Sequence, residues 1–228
     1  MAERTRHLRR AKSLTEQAAD EIRARIVFGD VELGSSLSEN MLAAELGVSK
    51  TPVREALLQL KSEGLVSIQP QRGSFVFDMS ASEVVQLGEL RETLELAALR
   101  LAARHDAKGL IEALREIVAR MRRALEKNDP VAYRKLDADF HRAFFDHSGN
   151  VYLLASYLGI AFRIQALRSR LSADPVLNRS SYTDHEKLLQ LVEGGKVDRA
   201  VALLSSHVRG TIEDYAATID ARRSAKAS

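Results

Sequence analysis

Residues 37–76 read LSENMLAAELGVSKTPVREALLQLKSEGLVSIQPQRGSFV, and this stretch decides the fold. Ser38 can open a short helix with Met41, Leu42 and Leu46 on its apolar side. Gly47 ends it, Val48 follows, and Ser49 caps a further helix from about Lys50 to Ser62. Pro52 falls in that helix's first turn, where a missing N–H costs little. Glu63-Gly64 stops the helix, and two short strands follow, joined by Gln69-Pro70-Gln71-Arg72-Gly73, whose Pro and Gly suit a tight turn. Upstream, Thr15 can cap a helix running to about Phe28, with Ala18, Ile22, Arg25 and Ile26 at helical spacing; Gly29 and Gly34 bracket a loop. Three helices, a glycine turn between the second and third, and a trailing hairpin make the pattern of a winged helix-turn-helix.

Working outward, the strand-like patterning of Val66 to Phe77 ends near Asp78-Met79-Ser80. Beyond it, apolar residues recur at helical spacing almost to the end. The chain therefore divides into a winged helix over 1–78 and an all-helical domain over 79–228, a mainly α protein whose second part is an antiparallel bundle of about six helices. These run from about Ser82 to Arg104, Lys108 to Lys127, Val131 to Ser148, Val151 to Leu171, Tyr182 to Glu193 and Val197 to Asp220. Gly109, Asp129-Pro130, Gly149-Asn150, Asp174-Pro175 and Gly194-Gly195 punctuate them. In the last helix, Val201, Leu204, Val208, Ile212, Tyr215 and Ile219 form a buried stripe.

The 228 residues are 45% hydrophobic and 29% charged, which fits a folded globular chain. No apolar run approaches the roughly 20 residues of a membrane span. The basic start, MAERTRHLRRAK, lacks the apolar region of a secretory signal, so a cytoplasmic protein without membrane contact is expected. The absence of cysteine excludes disulfides and thiolate metal sites. Lys and Arg number 34 against 31 Asp and Glu, so bulk charge does not point to nucleic acid. Local placement has to carry that argument.

In the third helix, Val53, Ala56, Leu57 and Leu60 form the inward face, and Lys50, Arg54 and Lys61 lie about a quarter-turn away on a flank free to meet DNA. An Arg near the start of a recognition helix can reach guanine O6 and N7 bidentately. Ser38, Ser49 and Thr51, at helix starts, can hold phosphates, and Arg72 at the hairpin tip can enter the neighbouring minor groove. Spacing alone equally allows an ordinary helical subdomain with solvated basic residues.

His141, His185 and His207 each share a helical face with apolar neighbours and should point into the bundle. Asp137 stands one turn before His141 on the same face. One carboxylate and three imidazoles converging in a core suit a divalent metal ion; the alternative is three core histidines, each satisfied by a hydrogen bond. Arg91 lies beside the stripe Leu87, Leu90, Leu94 and Leu101, with Glu95 one turn on as an intrahelical partner. Arg163, in a later helix, is a second candidate for binding an effector.

The run GVSKTPVREAL, with EGLV and the RGSFV wing after it, resembles the winged helix of the GntR family of bacterial regulators. The resemblance implies that Arg54 contacts base or backbone and that Gly73 sits at the wing tip. Asn40 and Lys50 stand where many members carry Arg, and Lys lacks the planar bidentate fork. LGELRETLELAALRLAA, LDADFHRAFFDHSGN and TDHEKLLQLV resemble the FCD ligand-binding domain of the FadR subfamily. That resemblance maps the family's D-x-x-x-H pair onto Asp137 and His141 and its later histidines onto His185 and His207. It implies zinc, nickel or a similar ion, and it makes Arg91 a holder of a carboxylate effector. The expectation is a homodimeric repressor, bound to a double-stranded DNA operator and controlled by a small organic acid. The rivals are a metal-dependent enzyme using the His/Asp cluster and a DNA-architectural protein.

Overall fold

In the computed structural model, which describes residues 11–171 and 175–227, Ser13 rather than Thr15 opens the first helix, α1 (Leu14–Phe28). Ser13 Oγ accepts from the Glu16 N–H at 3.1 Å and the Glu16 carboxylate accepts from the Ser13 N–H at 2.7 Å, a capping box. Thr15 instead donates its hydroxyl to Glu55, 2.7 Å away. After β1 (Ser36–Leu37) comes α2 (Glu39–Leu46), capped by Ser38 and closed by Gly47 at φ 65°, a left-handed conformation that costs glycine little. Met41, expected on the apolar side, is 64% exposed; the short α2 packs through Leu42 and Ala43 instead. The helix α3 (Lys50–Ser62) then buries Val53, Ala56, Leu57 and Leu60 as its spacing predicts.

The strands β2 (Val66–Gln69) and β3 (Gly73–Val76) pair antiparallel, with Val66 opposite Val76 and Gln69 opposite Gly73. At the hairpin tip Gln71 takes φ 62°, and the Arg72 N–H donates to the Gln69 carbonyl. The sheet gains a third strand that the sequence reading lacks: β1 pairs with the other edge of β3, Ser36 opposite Phe75. Two residues are too few to leave a periodic signal. Ile22, Ile26, Val53, Leu57, Leu60 and Leu65 fill the core beneath, each contributing roughly 1.5–3 kcal/mol through burial.

Six helices follow: α4 (Ala81–His105), α5 (Ala107–Glu126), α6 (Pro130–Asp146), α7 (Val151–Leu171), α8 (Pro175–Glu193) and α9 (Val197–Ala227). Their starts are chemically marked. Ser80 and Glu83 form a capping box, Asp106 accepts from the Gly109 N–H, and Asp129 caps α6 with Pro130 at its first position. The sequence reading starts α8 at Tyr182, whereas the helix begins at Pro175. Proline suits a break there, yet at a first helical position its missing N–H is not needed. Asp174, read as part of that break, lies outside the described residues.

Contacts divide the described residues into two units, 11–26 with 31–77 and 27–30 with 78–227. In the second, α4 packs chiefly on α9 and also on α6 and α7, while α5 packs on α6 and α8. Gly88 of α4 makes the closest approach possible, since the space a Cβ would need there is filled by Ile212 of α9. This arrangement brings the inner faces of α4, α6, α7, α8 and α9 to one place. No helix among the described residues is long and apolar enough to cross a membrane.

Candidate functional site

His141 of α6, His185 of α8 and His207 of α9 meet inside the second unit, with ring centroids 4.9–5.5 Å apart. One donor nitrogen from each lies within 4.8 Å of the other two. The His141 Nδ1 is 2.7 Å from Glu95 Oε2. Burial works to raise the Glu95 proton affinity, but Arg91 and His141 outweigh it and hold the carboxyl well below its usual range. An ionised carboxylate only accepts, so Nδ1 carries the ring proton and Nε2 presents its lone pair to the interior. Burial pushes His141 down to about 4, so the ring is neutral near pH 7. His207 is oriented the same way, its Nδ1 3.2 Å from Asp184 Oδ2.

His185 is different. It is fully buried against Phe140, and neither ring nitrogen has a hydrogen-bond partner. Burial holds its proton affinity well below the ordinary histidine value. Its Nε2 lies 3.7 Å from Asp137 Oδ1, and the Nε2 of His141 lies 3.9 Å from Asp137 Oδ2. Asp137 in turn accepts from Ser181 at 3.2 Å and pairs with Arg168 Nε at 2.7 Å. Burial opposes its ionisation, yet Arg168 and the imidazoles hold its proton affinity well below the carboxylate range. Three converging imidazoles, an ionised carboxylate and hydrogen-bonded partners behind two of the rings are the donor set a divalent ion takes. The two orphaned nitrogens of His185 are what such an ion would satisfy.

A cavity of about 200 Å³ opens onto this cluster, lined among others by Arg91, Tyr133, Arg134, Asp137, Arg168 and His207. Arg91 meets the expected intrahelical partner, Nε lying 2.7 Å from Glu95 Oε1. It also places Nη2 3.2 Å from His141 Nε2, and its Nη1 is buried without a partner. Arg163 does not line the cavity; its Nη2 faces the Gly159 carbonyl at 3.5 Å. The inward face of α7 runs through Tyr157, Ile160, Ile164 and Leu167, and the arginine on it is Arg168. A stripe count at steps of three and four singles out Arg168, and the same count from His141 back through Asp137 reaches Arg134. The sequence reading passed over both.

In the first unit, Ser38, Asn40, Ser49, Lys50, Thr51, Arg54, Arg72 and Gly73 are all exposed. Ser38 accepts from the Met41 N–H at 3.4 Å, whereas Ser49 caps α3 without a side-chain bond and keeps its hydroxyl free of that duty. Arg54 holds Glu39 at 2.8 Å, and 64% of its side chain remains exposed. Gly73 has φ 102°, a backbone conformation costly for any other residue, and the Arg72 guanidinium lies 6.0 Å from the Phe75 ring centroid.

Comparison with known proteins gives a consistent picture. The family model for bacterial regulatory proteins of the gntR family matches residues 14–76, and the FCD domain model matches residues 86–210. An HTH-type transcriptional regulator of an unstable DNA locus in Streptomyces ambofaciens is 32% identical over 85% of this chain and 81% of its own. The gluconate operon transcriptional repressor of Bacillus licheniformis is 28% identical over 87% and 84%. Among solved structures, a GntR transcriptional regulator from Rhodococcus sp. RHA1 superposes with a TM-score of 0.78 at 21% identity, covering 90% of this chain and 98% of that one.

Proposed function

The chain belongs to the GntR family of bacterial regulatory proteins and carries an FCD domain, and from that premise we propose that it is a repressor controlled by a metal-assisted organic acid. Its relatives are transcriptional regulators, not enzymes, so the catalytic reading of the histidine cluster is not carried further.

Residues 1–78 are the DNA-reading part and 79–228 the sensing part. Arg54 and Lys50 of α3 meet base edges, with Asn40 alongside. Ser38, Ser49 and Thr51 hold phosphates at helix starts, and Arg72 with Gly73 carries the wing to the groove. The exposed Arg54–Glu39 pair is the kind that gives way cheaply to a nucleic acid. A cytoplasmic homodimer would place two such helices on a palindromic operator, half-sites about one helical turn apart.

In the sensing part His141, His185, His207 and Asp137 would hold the divalent ion, zinc, nickel or similar. When bound, the ion supplies a positive centre that can take an oxygen of the effector's carboxylate. Arg91 serves the same carboxylate from the side of α4, its free Nη1 providing the donor. The ring of His141 is held in the ligating tautomer by Glu95, and Asp184 does the same for His207. The effector then acts by binding one arrangement of the protein more tightly than the other, shifting operator affinity by that difference.

The observation that carries this reading is His185, a buried imidazole with both nitrogens unpartnered, set between two oriented imidazoles and an ionised Asp137. Elemental analysis of the purified chain should find one divalent ion per chain, lost in His185→Ala. Organic acids should raise its melting temperature with the ion present and fail to do so after chelation. A protein purified without metal, and unable to take up zinc in calorimetry, would overturn the reading.

A further inference from the structure

We propose that the ligand of the helical cavity is a dicarboxylate, one carboxylate lying at the histidine end beside Arg91 and the second pairing with Arg134. This rests on the reading that the cavity binds an organic acid, and it adds a second charge and the residue that recognises it.

Arg134 carries the argument. It lines the cavity and is only 8% exposed. Its Nε is buried with no hydrogen-bond partner, and Asp129 at the start of α6 acts on its charge only through space. Burial lowers its proton affinity and Asp129 works against that, but arginine does not give up its proton in proteins, so the unpartnered Nε calls for an anion or is left at a cost. The other two guanidiniums of the wall have their charge paired directly, Arg91 by Glu95 and Arg168 by Asp137, each at 2.7 Å. Of the remaining lining acids, Asp184 is engaged with His207 and Asp214 is exposed to solvent. A monocarboxylate held at the histidine end would leave Arg134 as it stands. A diacid pairs both ends.

Position supports the span. Arg134, Asp137 and His141 stand at i, i+3 and i+7 on one face of α6, so at a rise of about 1.5 Å per residue Arg134 lies roughly 10 Å along the axis from His141. The long arginine side chain can shorten that gap. A volume of about 200 Å³ has room for roughly seven water-sized groups. That is the scale of a short aliphatic diacid.

The test is calorimetric titration of the full, zinc-loaded chain with succinate, glutarate and adipate, each against its monomethyl ester, which keeps the shape and removes one charge. At least one diacid should bind about tenfold or more tightly than its ester. Arg134→Gln should erase that preference while leaving ester affinity and zinc content unchanged. Esters binding as tightly as their diacids, or a preference that survives Arg134→Gln, would overturn the second charge and leave the metal-assisted acid site standing. Zinc-loaded protein that takes up neither diacids nor esters would instead defeat the acid-site reading itself. Should Arg134→Gln fail to fold by circular dichroism, the diacid and ester comparison on the parent chain still decides.

Discussion

His185 pays for its burial with two unsatisfied nitrogens, a cost on the order of 1–3 kcal/mol for each group. Phenylalanine fills a similar volume without polar atoms. His185→Phe is therefore expected to melt at or above the parent in chelator and to gain nothing when zinc is added. The parent should gain, because an ion bound only by the folded state adds its binding energy to stability. Thermal melts of both proteins with and without zinc settle the matter; a parent insensitive to zinc would count against the ligand set. Arg54 makes the other residue-scale test. It is exposed and, among the described residues, paired with Glu39, so Arg54→Ala should leave the melting temperature close to the parent's. Operator affinity at fixed salt should drop about tenfold to a hundredfold, with base preference relaxed at the contacted position. Fluorescence anisotropy on wild-type and substituted operator fragments reads both.

At the scale of elements, the sensing unit depends on how closely α4 and α9 approach. The methyl group of Gly88→Ala would run into the Ile212 side chain in a buried contact. Overpacking of that kind costs about 1–3 kcal/mol. Alanine's better helix propensity returns under 1 kcal/mol at a helix interior, so the sum is expected to be a loss. Chemical denaturation should show a lower midpoint for Gly88→Ala, and because α4 carries Arg91 and Glu95 while α9 carries His207, zinc affinity should fall with it. An unchanged midpoint would mean that Ile212 can rotate away freely. The start of α4 is tested separately: Ser80→Ala removes half of a capping box and should cost about 1 kcal/mol without touching zinc affinity.

At the scale of the whole molecule, the buried imidazoles tie stability to pH. His141 sits at about 4 in the folded state against its ordinary 6.5, and His185 is displaced in the same direction. The unfolded chain therefore binds more protons than the folded one across that window. In chelated protein the stability these rings contribute is fully present above about pH 6.5 and is lost as pH falls toward about 4. The slope is about 1.4 kcal/mol per pH unit for each ring. Denaturation midpoints measured in steps from pH 8 to pH 4 check the sign; a chelated protein most stable near pH 5 would contradict it. Effector control belongs to this scale too. If the acid acts through the ion, chelation should abolish the effect of the acid on operator affinity while leaving binding of unliganded protein to DNA intact.

The elements themselves were legible because their causes are local. The cap at Ser38, the glycine at position 47, the stripe of α3 and the Pro-Gly tip of the wing are each settled within a few residues. So was the facing of the three histidines, since helical period says which side of a helix is buried. Where local signals compete, sequence is ambiguous: Pro175 has the mark of a break yet starts a helix, and Ser13 outcompetes Thr15 as a cap. What tertiary packing decided is who meets whom. Glu95 behind His141, Arg168 on Asp137 and the unpartnered Nε of Arg134 are encounters between helices far apart in the chain, or absences of one. Periodicity fixes a direction for each side chain, but only the closing of α4, α6, α7, α8 and α9 around one volume fixes its neighbours.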